Sequence, residues 1–195
     1  MNDRFGLPVD RIIVFDTCYF GTSNYILFDW DEGNLDSLQE ERARLSCLNR
    51  RLAGEHYKNW TVTQGVVEEF EAGNQKLGFL IKDTISQNEQ SVLAQLLDER
   101  EHTLELIGDE YRVLEHNLPE DIIEKYRQDY TGLVNHIEMK GRNSYCRSPL
   151  SEVDKQIVLA SLYLLEDDKV RIASYDTSLL NVFSRCRSRI KQMVA

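Results

Sequence analysis

The sequence lacks paired cysteines and long apolar runs, and both absences narrow the class of protein. Its four cysteines are Cys18, Cys47, Cys146 and Cys186, and no two of them form a C-x-x-C pair. This spacing argues against a zinc site and against a disulfide framework, so we expect reduced thiols. The longest apolar run, residues 157–165, is about half the length that spans a membrane. Because no signal peptide is visible either, we expect a cytoplasmic protein with no membrane association.

The motifs of several common enzyme classes are also missing. The chain has no G-x-G-x-x-G, no G-x-x-x-x-G-K-[ST] and no G-x-S-x-G. These absences argue against dinucleotide binding, P-loop and α/β-hydrolase chemistry. The histidines lie at no metal-ligand spacing; they are His56, His102, His116 and His136. An Asp-x-Asp phosphatase pattern fails at Cys18, where the second aspartate would stand, which weakens an aspartyl-phosphate mechanism.

Positive charge is in short supply, since 23 Lys and Arg residues face 33 Asp and Glu residues. The formal net charge is −10. A protein that coats nucleic acid through its bulk charge would be basic, so this class is disfavoured. A local basic patch combined with a metal ion can still hold nucleic acid on an acidic protein.

The order of the predicted elements indicates an α/β domain. Strands are predicted at residues 11–16 and 169–174, with a short β-prone piece at 60–63. The predicted helices are 33–54, 64–73, most of 75–107, 118–140, 150–167 and 176–183, with a loop at 141–149. Strands separated by helices are typical of a parallel sheet, whose functional cleft lies at the carboxyl ends of its strands. We therefore expect Asp16 and Asp176, which follow the first and last strands, to face the same cleft.

Acidic residues stand at positions where a functional carboxylate is expected. They are Asp16, Glu68 or Glu69, Asp154 and Asp176. Asp16 ends an apolar strand, and burying it without a partner would be costly. If these acids converge, they cannot all ionise near neutral pH without a cation, and oxygen ligands suit Mg²⁺ or Mn²⁺. Such ions activate water for the hydrolysis of a phosphodiester bond.

Most of these acids also have a purely structural interpretation. Asp154 follows Ser151 by three residues, so the two can form a capping box at a helix N-terminus. Asp176 can serve as an N-cap. One of Glu68 and Glu69 is expected to face solvent. Asp16 is the hardest to dismiss, because a carboxylate in that position requires a metal, a base or a cluster of donors.

Taken together, these segments resemble the PIN-domain ribonucleases. That family has an Asp after the first strand, a Glu on a later helix, an Asp near the start of an apolar helix, and Thr/Ser-x-Asp after a strand. The matching segments are VFDT with Asp16 and Thr17, VTQGVVEEF with Glu69 or Glu68, LSEVDKQIVLASLYL with Asp154, and IASYDTSLL with Ser174 and Asp176. The second and third segments look most like archaeal members and ribosome-biogenesis relatives.

The resemblance implies a three-layer α/β/α fold with a central parallel sheet and added helices. One domain would cover residues 1–195, with helical insertions at about 33–54 and 75–140. The implied activity is that of an endoribonuclease that hydrolyses single-stranded RNA with Mg²⁺ or Mn²⁺. The implied metal ligands and catalytic residues are Asp16, Glu69, Asp154 and Asp176. Thr17 and Ser174 would hold ligands or a metal-bound water in place.

RNA would need a positively charged path across the protein, and two basic runs offer one. The first run is Lys140, Arg142 and Arg147, with Tyr145 as a residue that could stack a base. The second run is Arg185, Arg187, Arg189 and Lys191. A solvated loop and a solvated tail are the structural alternatives.

Two other functions stay open at this point. One is a PIN-fold protein that binds RNA or a protein partner with little or no catalysis, and the other is the toxin of a toxin–antitoxin pair. The added helices could bind that protein partner or form the face of a homodimer. Their leucine stripes, however, are more often part of a hydrophobic core than of an interface.

Overall fold

The chain forms two compact units in a computed structural model that describes residues 12–20, 35–53, 60–84, 86–110, 112–114, 150–164 and 169–194, with Glu124, Gln128 and Ile137. The first unit takes its described residues from 1–16, 59–65 and 113–195. The second unit takes them from 17–58 and 66–112. A single PIN-like domain over residues 1–195 stays a prediction.

A four-stranded sheet organises the first unit. The strands are β1 (Ile12–Phe15), β2 (Trp60–Thr63), β3 (Arg112–Leu114) and β4 (Val170–Ala173), in the order β3-β2-β1-β4. Strand β1 runs parallel to both β2 and β4, with Phe15 opposite Val62 on one side and Ala173 on the other. The predicted α/β class with parallel strands is thus confirmed, while the three-layer PIN-like arrangement stays a prediction.

Helices make up most of the remaining described residues. Those with described bounds are α1 (Thr17–Phe20), α2 (Leu35–Leu52), α3 (Gln64–Asp83), α4 (Gln87–Glu110), α5 (Glu152–Tyr163) and α6 (Thr177–Val194). None of these described helices combines the length and apolar composition that crossing a membrane requires.

The apolar run of β1 lies in the core of the first unit. Ile13, Val14 and Phe15 are buried, as expected for a parallel strand with a neighbour on each edge. Helix α5 packs against β1, β2 and β4, and also against α6. The residue that follows β1 is therefore held by an element that is fixed on both edges and covered by a helix.

Helix α3 extends further than the sequence pattern predicts. The pattern predicts a helix over 64–73 and a new helical segment from residue 75, whereas α3 is continuous to Asp83. Phe70 and Leu77 are both fully buried and seven residues apart, so the same helix face continues through Gly73. The break falls instead near Thr84, whose N–H donates to the carbonyl of Leu80 at 2.9 Å.

Helix α6 is also longer than predicted. The prediction of a short helix over 176–183 with a basic tail is wrong, because α6 continues to Val194. The buried residues Leu179, Val182, Phe183 and Cys186 follow helical spacing, and Cys186 continues this apolar face past residue 183. The alternation of basic residues hides this periodicity in the sequence, and the basic run is part of the helix.

Other differences concern short elements. Helix α1 starts directly after Asp16, and strand β3 has only three residues, so neither gives a periodic signal in the sequence. The predicted helix 118–140 and loop 141–149 lie outside the described residues, except for Glu124, Gln128 and Ile137, which are helical.

The second unit has its own helical core. Helices α2, α3 and α4 contribute buried side chains to one cluster, which consists of Leu38, Leu45, Leu77, Val92, Leu93 and Leu96. Leu38 and Leu45 belong to the leucine stripe of the predicted helix 33–54. These two residues of the stripe therefore serve the core of this unit.

A charged side chain, Arg100, is fully buried in the second unit. Its Nε donates to Asn74 Oδ1 at 2.6 Å, and its Nη2 donates to the carbonyl of Phe70 at 3.3 Å. Its Nη1 lies 3.9 Å from Glu41 Oε1, and its guanidinium carbon lies 4.0 Å from the centre of the Phe70 ring. Burial lowers the pKa of Arg100 to about 10, while the Glu41 carboxylate opposes this change. Arg100 is therefore charged at neutral pH.

We expect Arg100→Ala to lower the free energy of unfolding by about 3–5 kcal/mol, because a buried Glu41 would lose its cation. The matched control is Glu101→Ala, an exposed neighbour on the same helix, with an expected change within about 0.5 kcal/mol. Urea unfolding followed by circular dichroism measures both. A loss below about 1 kcal/mol for Arg100→Ala would show that the buried cation contributes little.

Candidate acidic site at the carboxyl end of the sheet

Asp16 is a buried carboxylate at the carboxyl end of β1, with 5% of its surface exposed. Its N–H donates to the carbonyl of Ala173 at 3.1 Å, which extends the pairing of β1 with β4 by one residue. The Ser174 hydroxyl donates to Asp16 Oδ2 at 2.6 Å. The ends of the first and last strands, which were expected to share one cleft, therefore lie side by side.

Ser174 connects Asp16 to the next acid along the chain. The N–H of Asp176 donates to Ser174 Oγ at 2.8 Å. Asp176 Oδ1 accepts hydrogen bonds from the N–H groups of Ser178 at 2.7 Å and Leu179 at 3.4 Å, so Asp176 caps α6. The cap uses Oδ1, and within the described part of the chain Oδ2 accepts no hydrogen bond.

Asp154 forms the predicted capping box of α5 and is also part of this acidic environment. Its N–H donates to Ser151 Oγ at 3.0 Å, and its Oδ2 accepts the N–H of Ser151 at 2.9 Å. Burial raises the pKa of Asp154, the hydrogen bonds from Ser151 oppose this rise, and the carboxylates of Asp16 and Asp176 add to it. Asp154 is therefore close enough to Asp16 and to Asp176 for their negative charges to act on its own.

Two of the predicted site residues, Thr17 and Glu69, belong to the second unit. Thr17 is buried, and its hydroxyl donates to Glu69 Oε2 at 2.7 Å. Glu69 is half-buried on α3, whereas Glu68 is exposed. Glu69 is thus the acid of the pair that turns into the protein, while its role as a metal ligand stays a prediction.

Thr63 is a residue of this region that the sequence pattern did not single out. Because Phe15 lies opposite Val62 in parallel strands, the next residues, Asp16 and Thr63, occupy neighbouring positions on the same face of the sheet. Thr63 is buried, and its Oγ1 has no hydrogen-bond partner among the described residues. The sequence signal for Thr63 was the same as for Asp16, namely a polar residue at the end of an apolar strand.

Of the two predicted basic runs, only the second lies among the described residues. Lys140, Arg142, Tyr145 and Arg147 lie outside the described residues. The second run lies on α6, where Arg185, Arg189 and Lys191 are exposed and Arg187 is half-buried. Helix α6 carries these four cations and no acid. A local basic surface therefore begins on the helix that Asp176 caps.

The carboxylates suit a metal ion in their chemistry more than in their arrangement. Three carboxylates are hard oxygen donors, which Mg²⁺ and Mn²⁺ prefer and structural zinc does not. Among the described residues, however, no group of three or more His, Cys, Asp or Glu side chains is arranged to hold a metal ion. The requirement for Mg²⁺ or Mn²⁺ stays a prediction.

The raised pKa of Asp154 predicts a pH dependence of stability. Because the folded-state pKa lies above the ordinary value of 3.8, the contribution of Asp154 to the free energy of unfolding falls as the pH rises from 3.8 through the raised pKa. Asp154→Asn cannot ionise and keeps an acceptor for Ser151. We expect the Tm of this variant to rise relative to that of the wild type between about pH 4 and pH 7, as thermal unfolding at several pH values would measure.

The control for this measurement is Glu71→Gln, which makes the same charge change at an exposed position on α3. Its Tm difference from the wild type should stay constant over the same pH range. A constant difference for Asp154→Asn as well would contradict the electrostatic coupling of the three acids.

The chain matches no protein-family model, no curated protein and no solved structure. An interpretation of function therefore depends on the side chains of the site and on the sequence segments that carry them. The three carboxylates, Ser174 and the basic helix α6 are the features on which it can draw.

Proposed function

We propose that the first unit carries a PIN-type, metal-dependent nuclease site that hydrolyses phosphodiester bonds of single-stranded RNA. The observation that supports it best is the hydroxyl of Ser174, which donates to Asp16 and accepts the N–H of Asp176. This bridge brings two acids from separate strand ends together beside Asp154. Helix capping accounts for Asp154 and Asp176, but it gives no reason for a buried carboxylate next to them.

Repulsion among the three carboxylates supports the metal-dependent part of the proposal. Carboxylates that share a site require either a proton or a cation. At neutral pH a divalent cation that prefers oxygen ligands fits this need, and Asp16, Asp154 and Asp176 would hold it. Bound Mg²⁺ or Mn²⁺ would supply an activated water and would stabilise negative charge on the phosphate oxygens.

The residues of the site have separate roles in this proposal. The pairing of β1 with β4 fixes the backbone of Asp16, and Ser174 fixes its carboxylate. The capping bonds fix Asp154 at the start of α5 and Asp176 at the start of α6. All three acids are thus attached to regular elements, and such attachment limits the movement of a functional group.

Helix α6 supplies the contacts that an RNA substrate requires. Its cations stand out in a protein of net charge −10, and phosphate contacts dominate the affinity of proteins for nucleic acid. Arg185 lies nine residues after Asp176, which corresponds to roughly 13 Å along the helix axis. A strand whose phosphate lies at the acids can therefore also reach the basic part of α6. The preference for single-stranded RNA comes from the PIN resemblance.

A second candidate function is binding of RNA or a protein partner without cleavage. The observation that favours it is that the described carboxylates are not arranged as a group of metal ligands. The two candidates share the basic surface of α6 and differ in the need for Asp16 and for a divalent cation.

We expect Asp16→Asn to lower the cleavage rate of labelled single-stranded RNA in Mn²⁺ by at least about 100-fold, because a lost carboxylate weakens the cation site. EDTA should have the same effect on the wild type. The Asn side chain can still accept the hydrogen bond of Ser174. Asp36→Asn, which neutralises an exposed acid on α2, is the control with unchanged activity.

Two results of this assay would speak against the proposal. Cleavage that survives both Asp16→Asn and EDTA would exclude the acidic mechanism. If the wild type cleaves no RNA with either ion, the binding candidate is favoured instead. Thermal unfolding of each variant checks that it is folded.

We also expect Mn²⁺ to stabilise the folded protein, because the ion binds the assembled carboxylates and not the unfolded chain. At about 100 times the Kd the gain is about 2.7 kcal/mol, or a Tm increase of roughly 5–10 °C for a chain of this size. Differential scanning calorimetry with and without Mn²⁺ measures the shift. Asp16→Asn should lose most of it and Asp36→Asn should keep it; an equal shift in all three proteins would indicate binding elsewhere.

A further inference from the structure

Tyr175 stands between Ser174 and Asp176 and has a relative solvent exposure of 62%. The neighbours on both sides are anchored, because Ser174 bonds to Asp16 and Asp176 caps α6. The N–H of Asp176 also donates across Tyr175 to Ser174 Oγ at 2.8 Å. The backbone that carries the aromatic ring is therefore fixed, while the residue as a whole is exposed to solvent.

Exposure alone does not distinguish Tyr175, since single exposed aromatic residues are common. Among the described residues, Phe79 and Tyr163 are also exposed large hydrophobic side chains. Phe79 lies in the second unit and has Lys82 5.8 Å from its ring centre. Tyr163 lies at the last position of α5, nine residues after Asp154 and roughly 13 Å from it along the helix axis. Tyr175 differs because it is covalently bonded to two residues of the acidic site.

The chemistry of a tyrosine at this position fits a nucleobase. The flat ring offers a stacking surface to any base, and tyrosine loses little conformational freedom on binding because it has only two side-chain torsions. Helix α6 begins at the second residue after Tyr175 and carries the cations. Along the chain, Tyr175 thus stands between Ser174, which bonds to Asp16, and the helix that carries the cations.

We propose that Tyr175 forms a base-stacking subsite for the nucleotide next to the phosphate that is cleaved. This inference rests on the proposed nuclease function and adds a reason for the preference for single strands. The bases of a duplex are already stacked on one another, so the ring can stack only on an unpaired base. The same stacking tolerates every base, so this subsite selects strand state and not sequence.

The first test measures single-turnover cleavage of single-stranded RNA over a range of protein concentrations, with Mn²⁺. For Tyr175→Ala we expect the half-saturating concentration to rise roughly five- to 140-fold, the range that one lost stacking contact gives. The maximal rate constant should change by less than about threefold, because the ring positions substrate and contacts no reacting atom. Tyr175→Phe should behave as the wild type, since it retains the ring, and so should the control Tyr163→Ala.

The second test does not depend on cleavage. Tyr175→Trp places a fluorescent ring at the subsite, and binding is measured in EDTA with a 12-nucleotide oligouridine and with an abasic oligomer of the same length. We expect the oligouridine to quench the new tryptophan emission and to bind at least about fivefold more tightly than the abasic oligomer. In Tyr175→Ala the two oligomers should bind equally, as judged by fluorescence anisotropy of the labelled oligomers.

The outcomes separate the inference from the function on which it rests. If the wild type cleaves RNA and Tyr175→Ala keeps its half-saturating concentration, the stacking subsite is excluded and the nuclease function stands. An equal loss in Tyr175→Phe would assign the effect to the hydroxyl, and an equal loss in Tyr163→Ala would assign it to the fold; both exclude stacking. If the wild type neither cleaves nor binds RNA, the proposed function fails and the subsite fails with it.

Discussion

The parallel pairing of β1 with β4 is the constraint on which the candidate site depends. It places the residues after the two strands next to each other, so that Asp16 and Ser174 meet although 158 positions separate them in sequence. Helix α5 packs across these strands and brings Asp154 to the same region. A shift of the register by one residue would turn Asp16 to the other face of the sheet and separate it from Ser174.

The two units contain buried charge of different kinds. In the second unit Arg100 has a carboxylate, an amide, a carbonyl and an aromatic ring around it, so its charge is compensated within the protein. In the first unit the carboxylate of Asp154 lies near those of Asp16 and Asp176, which carry charge of the same sign. The arrangement around Arg100 is what a folded core requires, because a buried cation without partners would be expelled. The arrangement of the carboxylates raises the free energy of the ionised site, and a cationic ligand would reduce this repulsion.

Sequence patterns predicted the elements with strong local signals and missed those set by tertiary contacts. The strand ending at Asp16 and the Ser151–Asp154 capping box follow from runs of apolar residues and from local hydrogen bonding, so both could be predicted. The continuity of α3 through Gly73 could not, because it depends on packing of Phe70 and Leu77 against other helices. The end of α6 was hidden by alternating cations, and Thr63 and Tyr175 were not distinguished because burial and exposure are tertiary properties.

The continuity of α6 fixes the distance between the acids of the candidate site and the cations on the helix. A helix of 18 residues is about 27 Å long and does not shorten or bend easily, unlike the flexible tail that a basic run suggests. If phosphates bind along this helix, its length sets a fixed separation between the acids at its start and the cations nearer its end. An RNA long enough to reach both groups would bind at the acidic site and also place its phosphates at the cations. A shorter fragment would lose the contacts with the cations. In the proposed nuclease function, release of short products and retention of long substrates would then follow from the length of a single helix.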